Sequence, residues 1–354
     1  MINLYCIRPK GFNIGNDVIH LALMHFLRAS FKEKVNIISL PATSKYESQK
    51  KAGLTSQTVY EINQFGHGVI IGGGNLYENN ELEINPTALK ALEVPLMPFS
   101  ISRGRIYNNK LELVDRTDVM TDEKIIMLNK KADISLSRDI ATTDYINSLG
   151  VKNKLGGCPT LFLNEIPQHM VPISDADKTD ALISVRTPTL MSVPTEYQYS
   201  IKDHVLGIID ILKKEGYQNI KLLCHDHRDI PFAASFKGLE YLYTDEVYTY
   251  LTYLKNTKLN VTYRLHSFLP ALSFNVPAIK ISYDQRALSM LETVGMDEWN
   301  INLLKEDSVA AVKNRVQNLH KLEELKEKNR DGLWKELREN IVVNFKEFAD
   351  LVVG

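Results

Sequence analysis

The chain has 354 residues, of which 44% are hydrophobic and 24% charged, enough to bury one large core or two of ordinary size. Forty-two lysines and arginines against 43 aspartates and glutamates leave a formal charge of -1, which excludes a global attraction to nucleic acid or an anionic membrane but leaves room for a local basic cleft. Glycine and proline are ordinary, Cys6, Cys158 and Cys224 form no CxxC pair, and no run approaches ~18 apolar residues, so the low-complexity, disulfide, zinc and membrane-spanning classes fall away.

The first residues lack a basic lead and a small-residue cleavage site. They predict a strand over Leu4 to Ile7, not a signal peptide, and with it a soluble, cytoplasmic protein. A turn from Pro9 to Asp17 follows, then apolar residues at helical spacing: Val18, Leu21, Ala22 and Phe26. Gly11, Gly15 and Asn16 in that turn can present backbone N–H groups to an anion, or simply close a strand–helix corner. The segment has neither the GxGxxG spacing nor a Walker lysine, so no dinucleotide or ATP site follows.

Buried strands are predicted at Asn36 to Leu40, Val69 to Ile71, Leu96 to Ile101 and Ile134 to Leu136. Gly72, Gly73, Gly74 and Asn75 end one of them, where a ligand can approach the backbone and Asn75 can donate to a sugar hydroxyl. Arg103 and Arg105 end another, suited to an acceptor phosphate or to solvent. Asp139 caps a predicted helix over Ile140 to Leu149. Strands without polar alternation, separated by helices, argue a mostly parallel sheet covered on both sides.

Residues 159–180 read as a linker between a first domain, 1–158, and a second, 181–315. In the second, strands are predicted at Leu182 to Val185, Ile220 to Cys224, Leu259 to Tyr263 and Ala278 to Ile281, with helices at Ile201 to Lys214, Glu246 to Leu254 and His266 to Phe274. Residues 316–354 read as a helical tail with a solvated face. Arg186 follows the first of these strands, where guanidinium suits carboxylate or phosphate, or an ion pair with a neighbouring loop. His225 and His227 flank Asp226; without a third ligand fixed by spacing, loop bonding or substrate contact is favoured over a metal.

The segment Tyr263-Arg264-Leu265-His266-Ser267 lies where a strand gives way to a helix, the place open α/β folds put ligands. Arg264 can hold an anion while His266 moves a proton. The plainer alternative pairs Arg264 with a buried acid and His266 with a carbonyl.

With Arg264-Leu265-His266-Ser267, Val276-Pro277, Ile281-Ser282-Tyr283-Asp284, Gly72-Gly73-Gly74, Ser137-Arg138-Asp139 and Ser184-Val185-Arg186 in this order, the chain resembles the polysaccharide pyruvyl transferase family from about residue 11 to 296. The resemblance implies two Rossmann-like domains facing across a cleft, glycosyltransferase-B-like. It implies phosphoenolpyruvate as a small-molecule donor bound by Arg186 and Arg264, with His266 as the acid–base residue, expected to donate the proton to the donor's methylene carbon, and no cofactor or metal. Asp17 or His225 would take the proton of the attacking hydroxyl. Gly15, Asn16, Gly73, Gly74, Asn75, Arg103, Arg105, Ser267 and Tyr283 would contact donor or acceptor. The acceptor would be a saccharide or a lipid-linked saccharide; peripheral membrane association and homo-oligomerisation stay open, and nucleic acid is not a partner.

Two departures bear on acceptor handling. The family's Asn-x-Gly-Asp becomes Asn13-Ile14-Gly15-Asn16-Asp17, and Cys158-Pro159 lacks the usual acid before proline. A nucleotide-sugar-dependent glycosyltransferase and a non-catalytic glycan-binding protein are the alternatives that the same architecture hosts.

Overall fold

The runs Gly68–Gly74, Leu96–Ile101, Ile220–Cys224 and Ala278–Ser282 are buried along their whole length. Such strands suit the middle of a parallel sheet with helices on both faces. The computed structural model describes residues 1–45, 51–166 and 171–354.

The first unit opens with β1 (Ile2–Arg8), α1 (Ile14–Ser30), β2 (Val35–Pro41), α2 (Ser56–Phe65), β3 (Gly68–Gly74), α3 (Pro86–Lys90) and β4 (Leu96–Ile101). A small antiparallel pair, β5 (Ile106–Tyr107) and β6 (Leu113–Val114), precedes α4 (Asp122–Lys131), β7 (Leu136–Ser137), α5 (Ile140–Ser148) and β8 (Lys154–Leu155). The second unit begins with β9 (Thr179–Ser184), α6 (Thr195–Lys214), β10 (Ile220–Cys224), α7 (Ile230–Ala234), β11 (Tyr241–Tyr243) and α8 (Val247–Lys255). It continues through β12 (Thr257–Thr262), α9 (Leu265–Ser273), β13 (Ala278–Ser282), α10 (Gln285–Thr293) and β14 (Ile301–Asn302). Three helices end the chain: α11 (Ser308–Gln317), α12 (Leu319–Asn329) and α13 (Lys335–Val353).

The first sheet runs β2-β1-β3-β4-β7-β8 and the second β11-β10-β9-β12-β13-β14, with every neighbouring pair parallel. In each sheet the chain starts inside, works out to one edge, then crosses back and works out to the other. The strand order therefore reverses between β1 and β3 and again between β9 and β12. A crevice opens beyond the carboxyl ends of the strands at such a reversal. The two crevices face one another, and hydrogen bonds tie the units beside them. The Ile14 N–H donates to the His225 carbonyl (2.9 Å), the Ala141 N–H to Ser289 Oγ (2.9 Å), and the Gln285 N–H to the Arg105 carbonyl (3.0 Å).

The segment read as a linker is structured at its start. The turn Pro159–Glu165 is buried through Leu163 and packs on α1 and α9; residues 167–170 of that segment lie outside the described residues. The stretch read as a helical tail carries a buried stripe as well as a solvated face. Leu337, Ile341, Phe345 and Phe348 recur at helical spacing on α13 and are buried. Phe345 meets the rings of Phe99 (4.7 Å between centroids) and Phe26 (6.3 Å), and the Lys154 ammonium donates to Asn344 Oδ1 (2.7 Å). The chain thus ends by returning to the first sheet. No helix among the described residues is long and apolar enough to cross a membrane.

Candidate active site

The register of β9 against β12 pairs Ser184 with Thr262, so Arg186 and Arg264 stand two residues beyond the same level. Arg264 is held from behind. Its Nε donates to the Val185 carbonyl (3.0 Å), and its Nη2 pairs with the fully buried Asp229. Asp229 in turn accepts from the Thr187 N–H (2.9 Å). The sequence alternative of a buried acid beside Arg264 is therefore realised, yet the same guanidinium also lines the cavity. Arg186 is freer: Nε donates to the Leu190 carbonyl (3.2 Å), while Nη1 is buried without a hydrogen-bond partner, 3.7 Å from Asp226.

His266 is the second residue of α9, not the end of an extended strand. It thereby sits at the positive end of the helix. The Tyr250 hydroxyl donates to the His266 carbonyl (2.8 Å). With its one proton so used, that hydroxyl accepts from His225 Nε2 (3.0 Å). His225 thus supports the loop that aims His266, and its carbonyl binds the first unit at Ile14. The imidazole Nε2 of His266 is buried and has no partner. Burial, reinforced by Arg138, Arg286 and Arg264, lowers the His266 pKa to about 3, so the open site holds a neutral ring.

The cavity around this ring has a volume of about 120 Å³ and is open to solvent. The second unit contributes Arg186, Arg264, Lys280, Tyr283, Asp284 and Arg286; the first contributes Asn13, Asn16, Gly74, Asn75 and Arg138. Arg138 donates from Nη2 to Ser102 Oγ (2.6 Å) and leaves Nε without a hydrogen-bond partner, 3.8 Å from the Asp139 carboxylate. Arg286 pairs with Asp284 (2.5 Å) and approaches the buried Glu78 (3.4 Å). Burial raises Glu78 to about 7, against the pull of Arg286 and Arg138. Four guanidinium groups and one lysine face a single lining carboxylate, an arrangement that recruits a small multiply charged anion.

Several residues singled out in the sequence meet here and others do not. Asn16, Gly74, Asn75, Arg186, His225, Arg264, His266 and Tyr283 line the cavity, and Gly15 lies directly beneath His266. Asp17 turns away to Arg8 (2.8 Å), because the helix begins at Ile14 and carries position 17 to another face. Gly73 has φ +52 and packs on Ile19. Arg103 is buried, stacks on Tyr145 (3.6 Å) and pairs with Asp115 (3.0 Å), while Arg105 bonds Gln285 (3.0 Å). Ser267 is enclosed by Ser184 Oγ (2.8 Å) and Asn260 Nδ2 (2.8 Å). His227 sets its ring edge-on to Phe12, and among the described residues no three His, Cys, Asp or Glu side chains converge as a metal site.

Sequence reasoning passed over three cations. Arg138 stood beside the Asp139 cap and was read only as part of a motif. Arg286 stands two residues after the capping Asp284. Lys280 interrupts an otherwise uncharged strand, Ala278–Ser282, which is the one signal that could have found it.

Two Rossmann-like domains meeting at their strand ends over a cationic cleft define a glycosyltransferase-B-like fold. Solved structures share it: S. aureus MnaA with UDP (13% identity, TM-score 0.59, covering 100% of this chain and 98% of that one). So does Methanocaldococcus jannaschii UDP-GlcNAc 2-epimerase in complex with UDP-GlcNAc and UDP (14%, 0.56, 90% and 93%). A third is the α,α-trehalose 6-phosphate synthase from Burkholderia multivorans (11%, 0.54, 99% and 96%). At these identities the likeness concerns fold alone. No curated protein matches the sequence. The family model described as polysaccharide pyruvyl transferase matches residues 13–285, and the chain belongs to that family. It is accordingly a transferase acting in polysaccharide pyruvylation.

Proposed function

We propose that the protein transfers the pyruvyl unit of phosphoenolpyruvate onto two hydroxyls of one sugar, forming a pyruvate ketal. The observation that carries this reading is the cluster of Arg138, Arg186, Arg264 and Arg286 around the unpartnered Nε2 of His266. Phosphoenolpyruvate presents a carboxylate and a phosphate a few bonds apart, and forked guanidinium donors suit both.

His266 is neutral in the open site, so it is arranged to accept the proton of the attacking sugar hydroxyl. This reverses the direction expected from sequence, where His266 was the proton donor; burial, reinforced by the three arginines around it, supplies the reason. Asp17, paired with Arg8 away from the cavity, drops out as the base. The arginines neutralise the donor and hold its carboxylate in line for attack at C2. Protons balance across the reaction: of the two lost by the sugar hydroxyls, one ends on the new methyl group and one on the departing phosphate.

The acceptor would enter through the adjoining open groove of about 400 Å³, which shares Asn16, Asn75, Arg186 and Arg286 with the donor cavity. Phe12, Asn79, Glu81, Arg116 and Asp118 line its outer part. An exposed aromatic ring among amides and carboxylates suits a saccharide.

The test is a screen of the purified protein with phosphoenolpyruvate and a panel of nucleotide-linked, lipid-linked and polymeric saccharides. Inorganic phosphate release with a product heavier by one pyruvyl ketal is expected. Release of a nucleoside diphosphate from a nucleotide sugar, without use of phosphoenolpyruvate, would instead make it a glycosyltransferase.

A further inference from the structure

Among the described residues three lysines are buried: Lys221, Lys280 and Lys326. Lys221 reaches Glu240 (2.5 Å) and Lys326 reaches Glu323 (2.9 Å). Lys280 is 1% exposed and, among the described residues, makes no ion pair. Its ammonium donates to the Ile281 carbonyl (2.5 Å) and lies 5.8 Å from the centre of the Tyr283 ring, and among the described residues its two further protons have no hydrogen-bond acceptor. It projects from β13, flanked by β12 and β14, onto the wall of the donor cavity.

A lysine buried without a carboxylate is costly. It is compatible with a folded chain where the ammonium meets an anion that arrives from outside, or sheds its proton. The groups around it are those of the site itself: Asp284 and Arg286 at the start of α10, Arg264 beyond β12, Tyr283 at the end of its own strand, and His266 on α9. Across the cavity stand Arg138 and Glu78 of the first unit.

Given the proposed use of phosphoenolpyruvate, one proton still lacks a source. The methylene carbon must gain a hydrogen as C2 becomes electrophilic, while His266 is already assigned to take the proton of the attacking hydroxyl. We propose that Lys280 is the proton carrier for the donor's methylene carbon, charged by the arriving anion and discharged as the sugar hydroxyl adds.

In this step the Lys280 N–H bond breaks and the π electrons of the donor's C2–C3 bond take the proton at C3. The first hydroxyl oxygen bonds to C2 and its proton passes to His266. The C2–O bond to phosphate then breaks, the second hydroxyl closes the ketal, and its proton leaves on phosphate. His266 returns the first hydroxyl's proton to Lys280 through solvent. Burial, helped by Arg286 and Arg264 and opposed by Asp284, lowers Lys280 to about 7, so both of its protonation states are accessible near neutrality, as a proton carrier requires.

The test measures heat and proton uptake on binding phosphoenolpyruvate at about pH 8, in two buffers of different ionisation enthalpy. The trianion favours the ammonium, so wild-type protein should take up close to one proton per site (about 0.9 or less, since some Lys280 is already charged). Lys280→Arg, already charged, should bind within about threefold of wild type and lose most of that uptake. On an acceptor that supports phosphate release, its turnover should fall about 100-fold or more, the scale of one acid–base group. Where the larger arginine does not fold, Lys280→Met reads the same uptake. Binding without uptake, uptake that survives in both variants, or turnover of Lys280→Arg within about threefold of wild type overturns the role of Lys280 alone. Absence of phosphoenolpyruvate binding, or of phosphate release with every acceptor, overturns the functional reading and this proposal with it.

Discussion

Gly15 and His266 meet across the two domains: a β-carbon on Gly15 would stand 3.0 Å from both Cβ and Nδ1 of the imidazole. The glycine lies in the first turn of α1, where Asn13 accepts its N–H (3.0 Å). Its backbone is helical, so no special conformation demands glycine there. The space does. Gly15→Ala should displace the ring by a few tenths of an ångström and lower turnover about tenfold or more, since reacting groups tolerate little misplacement. Stability should hold, because alanine favours the helix by up to about 1 kcal/mol. Phosphate release and Tm measured on the same preparation separate the two effects.

Arg264 serves the fold and the cavity together. Arg264→Ala strands the buried Asp229 carboxylate and should cost about 3–5 kcal/mol, the usual penalty for breaking a buried pair from one side. Arg264→Met combined with Asp229→Asn should recover much of that loss, because Oδ1 still accepts the Thr187 N–H. Donor affinity should remain low in the double variant. Urea denaturation and phosphoenolpyruvate titration give the two readouts.

Arg186 is the cleaner probe of donor recognition. Its Nη1 has no hydrogen-bond partner, so Arg186→Lys removes the fork and leaves the charge. The donor KM should rise about tenfold or more while Tm changes little. An unchanged KM would reduce Arg186 to a point charge.

Lys280 gives stability a pH dependence. The ordinary value of 10.5 falls to about 7 on folding, so between those values the unfolded chain binds more protons than the folded protein. Stability from this group therefore rises with pH across that window, by up to about 1.4 kcal/mol per unit, and levels off above it. Lys280→Met should remove this rise and be the more stable protein at neutral pH. Urea midpoints taken at intervals from neutral to alkaline pH would show a flatter profile in the variant; parallel profiles would count against the buried ammonium.

The closing helix is a further point of weakness. Phe345 is fully buried between Phe26 and Phe99, and Phe345→Ala should cost about 3–5 kcal/mol. Thermal unfolding would register the loss as a lower Tm.

Much of the fold was legible because its strands are apolar and bounded. Leu96–Ile101 and Ile220–Cys224 run between the residues that the sequence predicts. The helix expected from Val18 instead begins at Ile14; Gly15 and Asn16 read as turn residues, and the Asn13 cap that permits the helix showed only in three dimensions. His266 was found by its position where a strand gives way to a helix, but its charge state was not, since that depends on burial between the two units and on Arg138 and Arg286 arriving from distant segments.

Local pattern thus determined that this chain builds two parallel sheets, that Arg186 and Arg264 follow strand ends and that His266 opens the next helix, because burial and hydrogen bonding along a strand depend on near neighbours. Tertiary structure alone decided which cations share a cavity, which acids hold them from behind, and that His266 is neutral in the open site. Those outcomes depend on through-space charge and exclusion of water between residues far apart in the chain, and no local pattern records either.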